Sequence, residues 1–205
     1  MKNRDYKVFR PNTFYHVFNR GSNKQPIFID EKDYLSFLKR VKLILNLTTD
    51  NNLHLKAVPA ESFSIASFCL MPNHFHFLIR QNTNTGISKL LLKLCTSYSM
   101  YFNKKYQRSG PLFQDTFKAK PVTNDSYLVY LSAYIHNNPP NPFHYPYSSL
   151  PDILGQRKGL ICQPDLILDL FYGKQDQYKK FVNQFSESHK NLIKHLLFED
   201  DNDKG

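Results

Sequence analysis

The sequence predicts an α/β domain of the ferredoxin-like kind, a split βαβ arrangement (βαββαβ) with an antiparallel sheet, an added helix and a helical C-terminal extension. Three observations predict it. Short runs rich in aromatic and β-branched residues recur at 14–20, 65–70 and 74–80. Stretches with apolar residues at helical spacing separate and follow them. The chain has 205 residues, enough for one such domain with a sizeable core and an appendage.

Each element follows from local chemistry. Phe14-Tyr15-His16-Val17-Phe18-Asn19-Arg20 reads as a first strand that stops at Gly21. Asp30 can cap the next helix, with Glu31 and Asp33 in its first turn. Tyr34, Phe37, Leu38, Val41 and Leu45 then recur at helical spacing. Residues 65–70 and 74–80 read as two strands joined by the turn signal Pro72-Asn73. Ile87, Leu90, Leu91, Leu94, Tyr98 and Tyr101 mark a second helix, closed by Gly110-Pro111. Residues 112–122 read as one or two strands with basic side chains. Asn124 or Thr123 can cap a third helix that runs to about Asn137 and ends at Pro139-Pro140. The proline- and serine-bearing stretch at 145–149 suggests a boundary between a domain at 1–150 and an extension at 151–205. Residues 166–171 and 178–197 read as short helices, with Phe181, Phe185 and Leu192 on the packing side. The acidic end, 199–203, reads as solvated.

Charge points to a polyanion partner. The formal net charge is +10. Residues 1–149 hold 19 basic and 8 acidic side chains, whereas residues 150–205 hold 8 and 9. Arg80, Lys89, Lys93, Lys104, Lys105, Arg108, Lys118 and Lys120 face a single acid, Asp115, within 80–120. Nucleic acid is the first expectation and a membrane surface the second. The 17 Phe and 13 Tyr suit stacking on unpaired bases, although most belong in a core. Cys69, Cys95 and Cys162 have neither zinc nor disulfide spacing, which predicts a reducing cytoplasm. The first ten residues are polar and basic, unlike a secretory leader, and no apolar run has membrane-spanning length.

The most informative segment is Met71-Pro72-Asn73-His74-Phe75-His76-Phe77-Leu78-Ile79. Residues i and i+2 of a strand share a face, so His74 and His76 present two imidazoles while Phe75 and Phe77 enter the core. Imidazoles about 6–7 Å apart along a strand can share a divalent metal. The plainer reading is two polar positions on a wet face. On the third helix, Tyr130, Tyr134 and Asn138 follow at four-residue steps, apart from the apolar Leu128, Leu131 and Ile135. A face with two imidazoles, an amide oxygen and a phenol could hold a metal and attack a phosphate. Asn138 also reads as a helix C-cap, and Tyr98, Tyr101, Tyr127 and Tyr130 are rival phenols.

These residues resemble a known family. Pro-Asn-His-Phe-His after a strand, with Tyr-Ile-x-x-Asn-Pro on a later helix, resembles the single-tyrosine HUH transposases, and in particular their REP-associated tyrosine transposase branch. Phe14-Tyr15-His16-Val17-Phe18-Asn19-Arg20-Gly21, Gly110-Pro111-Leu112-Phe113-Gln114 and Tyr147-Ser148-Ser149 fit as well. The likeness covers roughly 13–150 and more loosely the tail to about 185. It implies His74 and His76 as metal ligands, Asn138 as the third ligand and Tyr134 as the nucleophile. It also implies a 5′-phosphotyrosyl link and a free 3′-hydroxyl on single-stranded DNA. Pro140 departs from the small aliphatic residue often found there.

The expected activity is metal-dependent cleavage and rejoining of single-stranded DNA at hairpin or repeat sequences, with Mg²⁺ or Mn²⁺. Two imidazoles tilt the choice toward Mn²⁺. Arg20, Arg80, Lys104, Lys105, Arg108, Lys118 and Lys120 are the candidate DNA contacts. His16 and His136 read as structural or DNA-contacting residues rather than ligands. The expected partner is single-stranded or hairpin DNA, with no membrane, and the chain a cytoplasmic monomer or homodimer. Two other readings stand beside this one. A non-catalytic nucleic-acid-binding module of the same fold would show exposed sheet aromatics. A phosphodiesterase using water would leave Tyr134 incidental.

Overall fold

A computed structural model describes residues 9–49 and 52–185. Four strands form one sheet: β1 (Thr13–Arg20), β2 (Phe63–Met71), β3 (His74–Gln81) and β4 (Lys118–Pro121). Their order is β2-β3-β1-β4, with all neighbours antiparallel. Helix α1 (Glu31–Ile44) connects β1 to β2, and α2 (Ile87–Lys105) connects β3 to β4. This is the ferredoxin-like split βαβ arrangement that the element order predicts. Helix α3 (Asp125–His136) follows β4, and three short helices close the described chain: α4 (Leu150–Ile153), α5 (Asp165–Leu168) and α6 (Gln175–Asn183).

Strand alternation sorts the side chains onto two faces. Phe75, Phe77 and Ile79 of β3 join Tyr15 and Val17 of β1 beneath α1 and α2. Phe37 of α1 meets Phe75 at 5.3 Å and Tyr98 of α2 at 5.0 Å between ring centres. Each such buried aromatic contributes about 1.5–3 kcal/mol. In β2 a bulge falls between Ile65 and Ser67. Without it, period-two counting would send Ile65 and Phe68 to opposite faces. The extra residue, Ala66, keeps Phe63, Ile65, Phe68 and Leu70 all on the helix-covered side, opposite Gln81, Ile79, Phe77 and Phe75.

Local signals act as the sequence suggests. Asp30 caps α1, and Asp33 answers it in a reciprocal capping box. Asn124 caps α3 by accepting from the Tyr127 amide. Pro72-Asn73 is the two-residue turn between β2 and β3, and its carbonyls are docked. Pro72 O accepts from the Ile27 and Phe28 amides, and Asn73 O accepts from Gly21 N at 2.8 Å. Gly21 has to be glycine, because a Cβ there would lie 2.0 Å from Gln25 O.

Three stretches differ from expectation. Within 112–122 only Lys118–Pro121 is strand, because Leu112 and Phe113 turn inward to the core. The stretch at 145–149 is a packed seam on the free edge of β2. Leu70 N donates to Tyr147 O, Ser149 N donates to Phe68 O, and Ser148 and Ser149 are fully buried. The core cluster then continues through Leu150, Ile153, Ile167, Tyr178, Val182 and Phe185. The last helix begins at Gln175, earlier than expected, and Leu192 lies outside the described residues.

Helix α3 covers the second sheet face, packed between β2 and α6. Its far side carries a buried polar chain. His136 Nε2 lies 2.8 Å from Ser149 Oγ, and His136 Nδ1 lies 2.7 Å from Tyr178 Oη. Tyr178 donates to Ser132 Oγ at 3.0 Å, and Ser132 donates to Val129 O. Phe68 N donates to Ser149 Oγ at 2.8 Å. With Ser149 donating to His136 Nε2 and His136 Nδ1–H donating to Tyr178, every proton in the chain is used once.

Two predictions follow from this packing. Tyr178→Phe leaves the His136 donor buried and unpaired, so urea unfolding should show a loss of about 1–3 kcal/mol. Burial pushes the His136 pKa down to about 3. The unfolded chain therefore takes up this proton near pH 6.5 and the folded chain does not. Stability present above pH 6.5 is lost as pH falls toward 3, by up to about 1.4 kcal/mol per pH unit from this group. The pH 7.5-to-5 drop in unfolding free energy should be smaller in His136→Gln than in the parent. An equal drop would show that His136 does not drive it.

Candidate active site

The sheet face under α3 carries the even-numbered residues of β1 and β3: His16, Phe18 and Arg20 beside His74, His76 and Arg80. The His74 and His76 ring centres are 5.0 Å apart and nearly perpendicular. His76 is 1 % exposed, and the Tyr134 ring stands edge-on to it at 6.0 Å. Asn138, just past the end of α3, places Oδ1 3.2 Å from His74 Nε2. The structure therefore brings His74, His76, Tyr134 and Asn138 together from two elements 60 residues apart in the chain.

Burial lowers the pKa of His74, which the Asn138 contact partly offsets and the Arg20 charge reinforces. His76 is pushed well below the usual histidine range by burial, then by His74 and His16. Both imidazoles are neutral at pH 7 and each keeps one lone pair.

The hydrogen bonds around His74 give its single N–H two oxygens to choose between. Asn73 Nδ2 donates to Lys24 O, which turns Asn73 Oδ1 onto His74 Nδ1 at 2.7 Å. Asn138 Nδ2 donates to Tyr134 O at 3.3 Å, which turns Asn138 Oδ1 onto His74 Nε2. A neutral ring has one N–H to give to two oxygens. Donating to Asn73, it leaves Nε2 and the Asn138 oxygen lone pair to lone pair. Two donors of one octahedral cation, each about 2.1 Å from it, sit about 3 Å apart. The pair thus fits a hard or borderline cation. Among the described residues no three His, Cys, Asp or Glu side chains gather at one point, and the oxygen that faces His74 Nε2 is the Asn138 amide.

The rival tyrosines are elsewhere. Tyr98 and Tyr101 lie on α2, across the sheet, and donate to Ile27 O and Asp33 Oδ1. Tyr130 packs on Phe181 and Phe185 next to α6, although helical spacing puts it on the face of Tyr134. Tyr127 is half-buried at the far end of α3.

The basic candidates divide in two. Lys118 and Lys120 pair with Phe18 and His16 across β1 and β4, so they share the histidine face with Arg20 and Arg80. Lys104, Lys105 and Arg108 sit at the end of α2, in the opposite layer. Lys105 departs most from its expected role. Its Nζ bridges Asp30 and Asp33, both at 2.7 Å, and Asp33 is fully buried. His16, read from the sequence as structural or DNA-contacting, lies 2.9 Å from His76, a contact the sequence did not predict. The signal was the even-numbered register of β1, which needs the strand pairing to be read.

The family model described as Transposase IS200 like matches residues 12–138. The chain belongs to this family. A solved structure of a REP-associated tyrosine transposase bound to a REP hairpin has a similar fold, with a TM-score of 0.53 at 12 % identity, covering 80 % of this chain and 92 % of that one. A putative transposase from Deinococcus radiodurans R1 gives a TM-score of 0.40 at 14 % identity, over 67 % and 97 %. No curated protein matches the chain. In this IS200-like transposase, no described helix is long and apolar enough to cross a membrane.

Because Lys105 neutralises a buried carboxylate, Lys105→Ala should lower the transposase's unfolding free energy by about 1–2 kcal/mol, the part-exposed ammonium being screened by water. An unchanged urea midpoint would show that Tyr101 and Tyr106 satisfy Asp33 without it.

Proposed function

We propose that this transposase cleaves and rejoins single-stranded DNA through Tyr134, at sites flanked by hairpins or repeats. The observation that carries the reading is His74 Nε2 and Asn138 Oδ1, 3.2 Å apart, converging beside His76 and the Tyr134 ring. His74, His76 and Asn138 would hold Mg²⁺ or Mn²⁺, which when bound draws charge from the scissile phosphate. The Tyr134 phenol loses its proton to water and its oxygen bonds to phosphorus. The bond from phosphorus to the 3′-oxygen breaks, and that oxygen takes up a proton. The DNA is left with a 5′-phosphotyrosine and a free 3′-hydroxyl. Attack by a 3′-hydroxyl reverses the sequence, so rejoining requires no nucleotide cofactor.

The covered face speaks against a module that only stacks bases. Phe18 on the sheet and Tyr134 on α3 are both buried and not offered to solvent. Lys118, Lys120, Arg20 and Arg80 border that face and would track the phosphates. A REP hairpin bound by the structural neighbour supports hairpin DNA as the partner here.

Incubation with labelled hairpin oligonucleotides and Mn²⁺ should give a covalent adduct on a denaturing gel. Tyr134→Phe should abolish it while leaving DNA binding and stability nearly unchanged, and mass spectrometry should place the nucleotide on the peptide spanning Tyr134. An undiminished adduct in Tyr134→Phe, or cleavage with no adduct, would sink the proposal. Binding should also weaken steeply with salt. Each phosphate contact removed, as in Lys118→Ala, should lower the log–log slope by about 0.7, whereas Lys105→Ala should leave it unchanged.

A further inference from the structure

One buried imidazole has no role in the reading above. His16 is fully buried in the middle of β1. Its Nε2 lies 2.9 Å from His76 Nδ1. We infer that His16 is a positioning residue, which accepts the Nδ1 proton of His76 and so presents the lone pair of His76 Nε2 to the metal site. This rests on the metal-site reading proposed above.

The geometry is that of an in-plane hydrogen bond. The two ring planes differ by 13°, with centres 5.1 Å apart. That separation equals the nitrogen–nitrogen distance plus two ring radii, so the rings meet edge to edge and not face to face. Phe18 holds the His16 ring from the side, at 4.8 Å and 26°. Full burial disfavours an imidazolium, so His16 is neutral and has one lone pair to accept with.

Two proton arrangements satisfy the contact, with one proton on each ring in both. If His16 Nε2–H donates, His76 carries its proton on Nε2, and His16 Nδ1 is a bare lone pair. If His76 Nδ1–H donates, His76 Nε2 carries the lone pair, and His16 holds its proton on Nδ1. That nitrogen is buried with no hydrogen-bond partner among the described residues. The two arrangements differ at His16 Nδ1, which is a bare acceptor in the first and a donor in the second. A cation at His76 Nε2 selects the second. His16 therefore serves as the partner that fixes tautomer and ring orientation, a role that carboxylates and carbonyls commonly take behind metal-bound histidines.

The test is Mn²⁺ affinity measured by electron paramagnetic resonance on the full chain, without DNA. His16→Phe keeps a ring against Phe18 and removes the acceptor, so it should weaken Mn²⁺ binding about 10–100-fold. His16→Gln restores an acceptor and should recover most of that loss. In the parent protein, long-range ¹⁵N spectra with diamagnetic Zn²⁺ should show the proton on Nδ1 of both His76 and His16. His74→Ala separates the two levels. If the parent does not bind Mn²⁺, or binds it equally well as His74→Ala, the metal-site reading fails and this inference with it. If His74→Ala loses binding while His16→Phe binds within twofold of the parent, the metal site stands and the role of His16 is overturned. Equal loss in His16→Phe and His16→Gln also overturns it, in favour of packing alone. If His16→Phe does not fold, the nitrogen spectra decide, and a proton on His76 Nε2 with Zn²⁺ bound refutes the inference.

Discussion

Both ring nitrogens of His74 face amide oxygens, and each amide is locked by its own NH₂ group. A neutral imidazole cannot satisfy two acceptors, and protonating it is opposed by burial and by Arg20. The surrounding fold maintains this conflict. The hairpin tip is held by Gly21, Ile27 and Phe28, which keeps Asn73 in place. The end of α3 is held independently, which keeps Asn138 in place. An unpaired polar contact of this kind, part-buried here, costs up to about 1–3 kcal/mol, so it persists only where the rest of the structure over-determines it. Under the proposed function a bound cation would relieve it, and stability would be exchanged for a preformed pair of donors.

The over-determination of α3 comes from its far side. Ser132 and His136 look away from the sheet toward Tyr178, and Asn137 Nδ2 donates to Val182 O on α6. Tyr134 and Asn138 look the other way, toward the histidines. One helix thus carries a face tied to the C-terminal segment and a face turned to the candidate site. The C-terminal segment is the element that tells them apart. Residues 165–185 supply no group to the candidate site, yet they fix the height and rotation of the helix that does.

The fold was legible because its signals are local and mutually consistent. Pro72-Asn73 sets the hairpin, Asp30 with Asp33 starts α1, and Pro139 stops α3. His74 and His76 were legible from strand period alone, and Asn138 from its four-residue step after Tyr134. What escaped depends on contacts between distant segments. The bulge at Ala66 shows only when β2 is laid against β3. The proline- and serine-bearing stretch at 145–149 has the composition of a linker, but its backbone hydrogen bonds go to the edge of β2. Lys105 looks like any exposed lysine until Asp33 is found buried beneath it. His16 is silent in sequence, because an imidazole sixty residues from its partner leaves no periodic trace.

The hydrogen bonds behind α3 also bear on the proposed attack by Tyr134, a residue only 8 % exposed. Sliding α3 along the sheet would break the His136–Tyr178–Ser132 chain and the Asn137–Val182 contact together. Several buried donors would be left unpaired at once, at about 1–3 kcal/mol each. It would also withdraw Asn138 from His74. Rotation about the Tyr134 side chain alone breaks none of these bonds. It moves the phenol while His74, His76 and Asn138 stay where they converge. For the proposed attack, the route that preserves these hydrogen bonds is rotation of the Tyr134 side chain on a fixed helix, with the extension holding that helix still.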